Sequence, residues 1–517
     1  MAYVIALDLG NVNIFTSFIR DMDEETRRGG HIYDLIDDRA PSGIPSIYFY
    51  SQKVGSLVGN SALTGRAVPL NNRKDLLKRN LGKTFECDGK TISYDDALKE
   101  VVEYAVRYAN KILHQQTMQT TNLISLAYPA VFLYNERCRL EEIVESATLE
   151  DGRHLEVVGT IAEPAAAALD YLSEYAKEDT KVLVFDLGGG TFDIALVQAF
   201  PQGRHYENGD IYYYDCLAVD GERVGGADFR DKMFEILCKK MGNTPKGQAF
   251  VHVTNEAEKL KKELSELEEV TPTLMNPETG DFYDFTVTRA EFEKATKDLL
   301  DITIDRTRKI LENNNISNPD IILLTGGASQ MPMIEEALEN NFPEYKGKIE
   351  SHKPQKAISY GAARFGVKES SDGFGNGNTN EQPEKKSTVR RRTMYDYGDL
   401  CQRAADGQRY ISTMIDASTP IPYEGEFRRF RTIQQGKTVT ISINEAKHQN
   451  PDNFNIDDYV RVAQVTFHFD KVMPAHTPIE ERMSVDENNV IHLEARDPAN
   501  PQNTVHCEYE ITKINDN

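Results

Sequence analysis

The sequence predicts a mixed α/β region followed by an all-β domain of the sandwich type. Residues 1–367 alternate apolar, strand-like runs with helical segments, which is typical of α/β domains with largely covered sheets. From about Met394 to Asn517, β-forming runs alternate with Pro, Gly, Asn and Asp, over a length sufficient for an independent sandwich. Between these parts, Lys368–Thr388 is polar and rich in Gly, Asn and Glu, which favours a flexible linker.

The composition narrows the class of protein. The 517 residues correspond to about three or four domain-sized units. A formal net charge of -23 argues against a nucleic-acid or membrane partner. Six scattered cysteines without a CxxC pair predict neither a disulfide framework nor a zinc site. Because no run approaches the ~20 apolar residues of a membrane span and no signal peptide is visible, we expect a cytoplasmic protein. We also expect it to be a monomer.

The first element is a strand that ends in a polar turn. Tyr3–Asn13 reads YVIALDLGNVN, an apolar run followed by an aspartate, a glycine and polar residues. Further along, Ser93–His114 repeats apolar residues at helical spacing, with Ser93 as the N-cap. Asn122–Tyr128 then has the pattern of a strand that stops at Pro129.

The most informative run is Val182–Asp193, VLVFDLGGGTFD. Its apolar lead predicts a buried strand, and its glycines allow a sharp turn whose backbone N–H groups can converge on a phosphate. Asp186 and Asp193 flank the turn, and carboxylates beside phosphates need a cation between them. A third glycine turn follows a strand at Ile321–Gly327. Two strand–Asp–turn units about 180 residues apart suggest duplicated halves that clamp one nucleotide.

Two better-known phosphate motifs are excluded. Gly82-Lys83-Thr84 resembles the end of a Walker A loop, but Leu77 stands where that motif needs a glycine. The triple glycine does not give G-x-G-x-x-G, because Asp193 occupies the last position. By motif, the chain is neither a P-loop protein nor a Rossmann dehydrogenase.

The last part of the chain contains only strand-like runs. These runs are Tyr410–Ile415, Thr438–Ile443, Val460–Phe469, Val490–Ala495 and Glu508–Ile514. Arg390-Arg391-Arg392 precedes them, and we interpret this basic triplet as a solvated charge run rather than a docking point.

These segments resemble those of the 70-kDa heat-shock chaperones, the DnaK-like family. Nine segments follow the family order: YVIALDLGNVN, GIPSIYFY, KRNLGKTF, AEPAAAAL, VLVFDLGGGTFDIALV, GGADF, EKLKKELS, LLTGGASQMP and AISYGAARFG. The resemblance implies an actin-like ATPase domain of two α/β lobes, 1–180 and 181–367, with ATP in the cleft between them. A polar flexible linker, 368–393, and a β-sandwich substrate-binding domain, 394–517, would follow. Sugar kinases and bacterial actins share the strand–Asp turns but lack this β domain.

The resemblance also implies a catalytic set. Its members are Lys78, Glu163, Asp186 and Thr191. Lys78 would stabilise the γ-phosphate in the transition state, and Glu163 would help to position metal and water. Asp186 would lie near the attacking water, and Thr191 would offer a hydroxyl group to the phosphates. A surface lysine and an acid that favours a helix N-terminus are the ordinary alternatives for the first two.

The nucleotide and its ions have expected partners by the same resemblance. Asp8 and Asp193 would hold Mg²⁺ through water, with K⁺ as a further ion. The residues expected to bind ATP or ADP are Asp8, Gly10, Asn11, Val12, Asn13, Gly188, Gly189, Gly190, Gly225, Gly226, Glu258, Lys261, Lys262, Ser265, Gly326, Gly327, Ser329 and Gln330. Pro129 and Arg137 match residues that relay the nucleotide state, although a strand terminator and a surface arginine would explain them equally well.

The sequence departs from the family in several places. Asn11-Val12 stands where two threonines are usual, and Gln330 replaces an arginine that stacks on adenine, which predicts weaker nucleotide affinity. Neither the leucine-rich interdomain linker nor the helical lid is visible, so we expect a lidless β domain that releases peptide quickly. Phe430, Val439 and Ile441 are the expected pocket residues, with ordinary sandwich core as the alternative for each.

Three functions are compatible with these residues. The first is an ATP-hydrolysing chaperone whose partners are unfolded or extended polypeptide, a J-domain cochaperone and a nucleotide-exchange factor. The second is a nucleotide-dependent module that hardly hydrolyses ATP and recognises one dedicated folded partner. The third is an actin-like filament protein, against which the β domain and the negative charge count.

Overall fold

The structure is a computed structural model with two α/β lobes and a β domain. It describes residues 3–22, 28–36, 43–64, 72–205, 211–276, 280–313, 318–373, 389–390, 392–448, 451–486 and 490–510. A search of the helices in these ranges finds none with the length and apolar character of a membrane span.

The first lobe is built on a six-stranded sheet. Its strands are β1 (Ile5–Leu9), β2 (Asn13–Met22), β3 (Gly29–Asp34), β4 (Ile44–Pro45), β10 (Leu123–Tyr128) and β11 (Glu156–Ala162). The order is β11-β10-β1-β2-β3, with β4 beside β2. β1, β10 and β11 are parallel, whereas β1, β2 and β3 are antiparallel. Every residue of β1 is buried, because both faces of the sheet are covered.

Smaller elements surround this sheet. The strands are β5 (Tyr48–Ser51), β6 (Gly55–Val58), β7 (Arg73–Lys74), β8 (Thr84–Cys87) and β9 (Lys90–Ser93). The helices are α1 (Gly59–Thr64), α2 (Tyr94–Thr117), α3 (Tyr134–Ser146) and α4 (Glu163–Tyr175). α2 begins after the predicted N-cap Ser93, whose hydroxyl accepts hydrogen bonds from the backbone N–H groups of Asp95 and Asp96 at 3.0 and 3.2 Å.

The second lobe repeats the architecture of the first. Its sheet contains β12 (Thr180–Leu187), β13 (Phe192–His205), β14 (Ile211–Glu222), β17 (Ile321–Thr325), β18 (Ile349–Ser351) and β19 (Val389–Arg390). The order is β18-β17-β12-β13-β14-β19. β12, β17 and β18 are parallel, and β12, β13 and β14 are antiparallel. Up to β14 this is the order and sense of the first sheet, as the duplicated strand–Asp–turn units predict.

Helices cover the second sheet and join it to the first. They are α5 (Gly226–Met241), α6 (Gln248–Glu263), α7 (Arg289–Asn313), α8 (Pro332–Asn341) and α9 (Ala357–Gly373), with β15 (Glu269–Val270) and β16 (Val287–Thr288) as a small ribbon. α9 packs on the first sheet and against α4, which lies on the second. The two helices approach so closely that a Cβ at Gly361 would lie 1.7 Å from the Ala166 carbonyl oxygen. α9 ends at Gly373, within the segment expected to be linker.

Residues 394–510 form the β domain. One four-stranded sheet has the order β21-β20-β23-β24, and the other has the order β22-β25-β26-β27. The strands are β20 (Tyr397–Gln402), β21 (Arg409–Ile415), β22 (Arg428–Arg431), β23 (Gly436–Ala446), β24 (Tyr459–Met473), β25 (Pro478–Val485), β26 (Val490–Asp497) and β27 (Asn500–Glu510). Both sheets contribute to one apolar core. The five predicted strand runs fall on β21, β23, β24, β26 and β27, and the part of the last run beyond Glu510 lies outside the described residues.

The basic triplet is not a solvated charge run. β19 adds to the edge of the second sheet, parallel to β14, with Arg390 beside Asp215. Arg392 donates two hydrogen bonds to the buried Asp215 carboxylate, at 2.6 and 2.8 Å, and is itself largely buried. Arg391 lies outside the described residues. The interpretation of this triplet as solvated is therefore wrong for Arg390 and Arg392.

Candidate functional site

The turns that follow β1 and β12 meet in the cleft between the lobes. A Cβ at Gly189 would lie 2.5 Å from the Val12 Cγ2 atom, and one at Gly190 would lie 2.6 Å from the Asn11 side-chain nitrogen. Only a residue without a side chain allows this approach. The glycines thus bring the two predicted phosphate turns into direct contact.

Two further glycine turns reach the same place. A Cβ at Gly225 would lie 2.6 Å from the backbone of Gly190. Gly326 has φ +81°, and its Cβ would lie 2.5 Å from Asp186 Oδ1. The segments expected to surround the nucleotide therefore converge, although they are far apart in sequence.

Lys78 and Glu163 form a buried ion pair in this cleft. Their side chains are 1% and 7% exposed, and Lys78 Nζ lies 2.5 Å from Glu163 Oε1. Lys78 opens a short 3₁₀ turn, Lys78–Asn80, and Glu163 is the first residue of α4. Burial excludes the ordinary surface-lysine explanation for Lys78.

Two further carboxylates, Asp186 and Asp193, lie beside this pair. Glu163, Asp186 and Asp193 each offer an oxygen, and the three oxygens lie within 4.8 Å of one another. Asp193 Oδ1 accepts a hydrogen bond from the Val131 backbone N–H at 3.0 Å. Asp186 Oδ1 and Asp193 Oδ2 are buried and have no hydrogen-bond partner among the described residues. Hard divalent cations such as Mg²⁺ prefer this oxygen set, so these residues fit a magnesium ion. The set shares Asp193 with the expected Asp8–Asp193 pair, but Asp8 is not a member of it.

Burial and mutual repulsion perturb these acids. Burial, with repulsion from Glu163, raises the pKa of Asp8 to about 8 even though Lys78 opposes the change. Burial and the negative charge of Glu163 also raise the pKa of Asp193, and a hydrogen bond from the Thr191 side chain opposes this rise. Burial and three neighbouring carboxylates raise the pKa of Asp186 well above its usual range. The cluster therefore contains more carboxyl groups than Lys78 can balance, and burial favours their protonated forms.

The residues expected around the adenosine are only partly brought together. Lys261 is buried, donates to the Gly226 carbonyl at 2.8 Å and pairs with Glu258 at 2.7 Å. The Ser329 hydroxyl donates to the Gly326 carbonyl at 2.7 Å. The remaining members stand apart from these contacts: Ser265 is half-buried just beyond α6, and Lys262, Gly327 and Gln330 are exposed.

In the first phosphate turn, which follows β1, a Cβ at Gly10 would lie 2.1 Å from the Asn13 carbonyl oxygen.

Comparison with known protein families identifies the family of this chain. A family model described as Hsp70 protein matches residues 109–514. The chain belongs to the Hsp70 family. It is thus a chaperone of the Hsp70 type, in a family whose members are ATPases that bind ATP or ADP with Mg²⁺ and that act on unfolded polypeptides with cochaperones.

In this Hsp70-family chain, Arg137 joins the first lobe to the β domain. The guanidinium group, on α3, lies 3.1 Å from Glu445 Oε1, and the two side chains are 8% and 0% exposed. Burial alone would lower the pKa of Arg137, but the Glu445 carboxylate outweighs it and raises that pKa. Tyr397 also donates to Glu445, at 3.0 Å. The surface-arginine explanation for Arg137 is therefore wrong.

Pro129 lies at a second junction with the β domain. It is buried and follows β10 directly. The next residue, Ala130, accepts a hydrogen bond from the Tyr395 hydroxyl at 2.6 Å, and Val131 then contacts Asp193. A contact from the β domain thus reaches the carboxylate cluster through one short loop.

The three expected pocket residues lie at the core of the β domain. Ile441 is fully buried in the apolar core that the two sheets share. Phe430, on β22, and Val439, on β23, are half-buried and pack against that core. Ile441 is therefore placed as ordinary core, which was the alternative to ligand contact.

Sequence reasoning missed three buried acids of the β domain, Asp399, Glu445 and Glu481. One signal was present: in PIEERMSV, Glu481 occupies the same alternating position as Ile479, Met483 and Val485, all of which are buried. An acid at an inward-facing strand position is unusual, because a buried carboxylate needs a partner.

Proposed function

We propose that this protein binds ATP in the interlobe cleft and hydrolyses it to ADP and phosphate. The observation that carries the proposal is the buried Lys78–Glu163 pair beside Asp186 and Asp193. Asp186 Oδ1 and Asp193 Oδ2 have no hydrogen-bond partner among the described residues. Phosphoryl transfer requires mainly positioning and electrostatic stabilisation, and a preformed buried lysine supplies both.

Each side chain has a distinct role in this proposal. Lys78 Nζ would turn from Glu163 toward the γ-phosphate as negative charge develops there. Asp186 Oδ1 would accept a hydrogen bond from the attacking water, and Thr191 would donate its hydroxyl to a phosphate oxygen. A magnesium ion, held through water by Asp8 and Asp193, would supply positive charge against the phosphates.

The β domain would respond to the nucleotide through the two junctions. Movement at Asp193 would shift the Val131 N–H, and with it the Ala130 carbonyl that binds Tyr395. The Arg137–Glu445 pair and β19 would hold or release the β domain as the lobes close or open. We propose that this controls the grip on an extended polypeptide in the cytoplasm, with a J-domain cochaperone and a nucleotide-exchange factor as partners.

Single-turnover ATP hydrolysis tests the proposal. Lys78→Ala should lower the rate by about 10²–10³-fold, the usual cost of losing one oriented stabilising group. Lys83→Ala is the matched control, because Lys83 lies in the same segment but is exposed, with its amine donating to the Asn80 side chain. Equal rates in wild type and Lys78→Ala would overturn the catalytic assignment.

A second function is favoured by the first phosphate turn. Val12 is 46% exposed beside Gly189, but its side chain has no hydroxyl group to offer to a phosphate or a cation. A nucleotide-dependent interaction module that scarcely hydrolyses ATP would tolerate this loss. If wild type binds ATP but single-turnover experiments detect no hydrolysis, this function replaces the first.

A further inference from the structure

One sheet of the β domain opens along one side. β20 pairs with β23 only at Tyr397 and Gly398, although both strands continue. Beyond that point, within the described strands, Asp399–Gln402 pairs only with β21, and Gly436–Ile443 pairs only with β24. We call the space between these two strand segments the groove. Its two edges carry backbone groups without a strand partner among the described residues, which is the arrangement that accepts an added strand.

Asp399 lies at the inner end of the groove. It is the first residue of β20 beyond the last pair with β23, and it is buried. Its Oδ1 atom accepts hydrogen bonds from the Ser442 N–H at 2.7 Å and from the Ser442 hydroxyl at 2.8 Å. The carboxylate thus bridges the strands at the point where their backbone pairing ends.

Glu481 lies on the facing sheet, where the charge of Asp399 acts on it. It lies on β25 between the buried residues Ile479 and Met483, and only 2% of its surface is exposed. Its Oε2 atom has no hydrogen-bond partner in the described parts of the chain. No lysine, arginine or histidine within those parts forms an ion pair with either carboxylate, in contrast to Glu445 on β23, which has Arg137.

The two acids and a nearby thiol act on one another. Burial and the charge of Asp399 raise the pKa of Glu481, and burial, followed by the charges of Asp399 and Glu481, raises that of the Cys401 thiol. Cys401 occupies the next position on the same face of β20. The inner end of the groove therefore holds two buried acids that repel one another and form no ion pair within the described chain. Arg428, opposite Glu481 on β22, donates to the Thr413 carbonyl instead.

We propose that the groove binds an extended polypeptide segment through a lysine or arginine side chain that pairs with Asp399 and Glu481. This inference rests on the proposed function, since it names the class of segment that the β domain grips. Successive side chains of an added strand point to opposite faces, so one cation can enter between the sheets while its neighbours remain outside. The cation satisfies Glu481 Oε2, as Arg137 satisfies Glu445. An arginine fork can bind both carboxylates at once.

A matched series of labelled peptides tests the proposal by fluorescence anisotropy. The probes are seven-residue peptides, Ala-Thr-Val-X-Val-Thr-Ala, in which X is arginine, lysine, norleucine or glutamate. Because the protein carries a net charge of -23, a positional isomer with arginine at the end of the peptide controls for general attraction, at 0.15 M salt and again at higher salt. We expect central arginine and lysine to bind at least about tenfold more tightly than norleucine and than the isomer, and glutamate to bind most weakly.

Variants assign the effect to the two carboxylates. Glu481→Gln and Asp399→Asn should remove the preference for a central cation while retaining the binding of the norleucine peptide. Glu480→Gln is the matched control, because the neighbouring Glu480 points away and pairs with Arg429 and Arg496. Circular dichroism checks that each variant is folded.

The outcomes separate the inference from the function on which it rests. If wild type binds the norleucine peptide as tightly as the arginine peptide, or if Glu481→Gln keeps the cation preference, the inference is wrong and the peptide-binding function stands. If the isomer with terminal arginine binds equally well, the attraction is general and the inference is again wrong. If no peptide in the series binds, peptide binding by the β domain fails, and the inference fails with it.

Discussion

The cleft and the groove both bury carboxylates but balance their charge differently. In the cleft, Lys78 pairs with Glu163 at 2.5 Å, and two aspartate oxygens remain for a metal. In the groove, no cation from the described chain reaches Asp399 or Glu481. The Arg137–Glu445 pair lies between these cases, because there the compensating cation comes from another domain. The two places where we propose that a ligand binds are thus those where buried acids outnumber the cations that pair with them.

Removal of Arg137 should have the largest effect on stability. It would leave Glu445 as a buried acid without a paired cation, like the acids of the groove. Arg137→Ala leaves Glu445 buried without its partner, which should cost about 3–5 kcal/mol of the free energy that docks the β domain. Urea unfolding of the full chain should then show the β domain unfolding separately and earlier.

Two variants sharpen this prediction. Arg139→Ala, on the same helix, should change little, because Arg139 is exposed and pairs with Asp95 at the surface. Adding Glu445→Gln to Arg137→Ala should restore part of the lost stability, since the orphaned charge is then removed. A single unchanged transition in Arg137→Ala would contradict the assigned role of the pair.

The buried acids of the cleft should make the stability of the ligand-free protein depend on pH. The folded-state pKa of Asp8 is raised to about 8, mainly by burial and by Glu163. The folded state therefore retains a proton that the unfolded chain releases above pH ~4, so stability falls as pH rises from ~4 through about 8 and then levels off. Asp8→Asn should remove the part of this fall that Asp8 contributes, about 1.4 kcal/mol for each pKa unit.

Guanidinium unfolding at several pH values, in the presence of a chelator, measures this slope. An exposed neighbour of the first lobe, Asp96, provides the control, and Asp96→Asn should retain the wild-type slope. The explanation is wrong if Asp8→Asn and wild type lose stability in parallel between pH 5 and pH 8.

The β domain should become more stable when the Glu481 carboxylate is removed from the groove. Glu481→Met keeps a similar volume and places an apolar side chain between Ile479 and Met483, so the free energy of unfolding should rise by about 1–3 kcal/mol. The same substitution should abolish the preference for a cationic peptide. Thermal unfolding measures the gain, and Glu480→Met, which breaks two surface pairs, should give none.

The smallest effect is expected at the linker. Asp215→Asn removes the carboxylate that binds Arg392, but the 18% exposed arginine can regain water, so the loss should be about 1 kcal/mol. Limited proteolysis near β19 should accelerate, and high salt should accelerate it in wild type but scarcely in the variant. Asp179→Asn, which breaks an exposed pair with Arg204, should leave the cleavage rate unchanged.

The sequence predicts the local parts of this molecule well. Val182–Asp193 and Tyr3–Asn13 encode a strand and a turn within a dozen residues, so strand periodicity and glycine chemistry suffice to predict them. Their duplication predicts two lobes, and the structure repeats the strand order. The pairing of Lys78 with Glu163, 85 residues apart, has no local pattern. The family resemblance implies only that both residues belong to the catalytic set.

The remaining features depend on contacts that no local pattern encodes. Arg392 is buried because Asp215, 177 residues earlier, lies at the edge to which the linker adds. Glu481 faces Asp399 only because two separate sheets pack face to face. A residue such as Ile441 reads equally well as core and as ligand contact until the strand neighbours are known. Charge and apolarity are visible in sequence, but the direction in which a side chain points is a tertiary property.

The short strand β19 gives the linker a protective role as well as a connecting one. β14 is paired with β13 on one side, and at Tyr214 and Asp215 its other side is covered by Val389–Arg390. When the linker leaves, that edge presents unpaired backbone donors and acceptors to solvent, and an open edge can join the sheet of a second molecule. Undocked protein should therefore be the form most prone to self-association, because Val389–Arg390 no longer covers that edge.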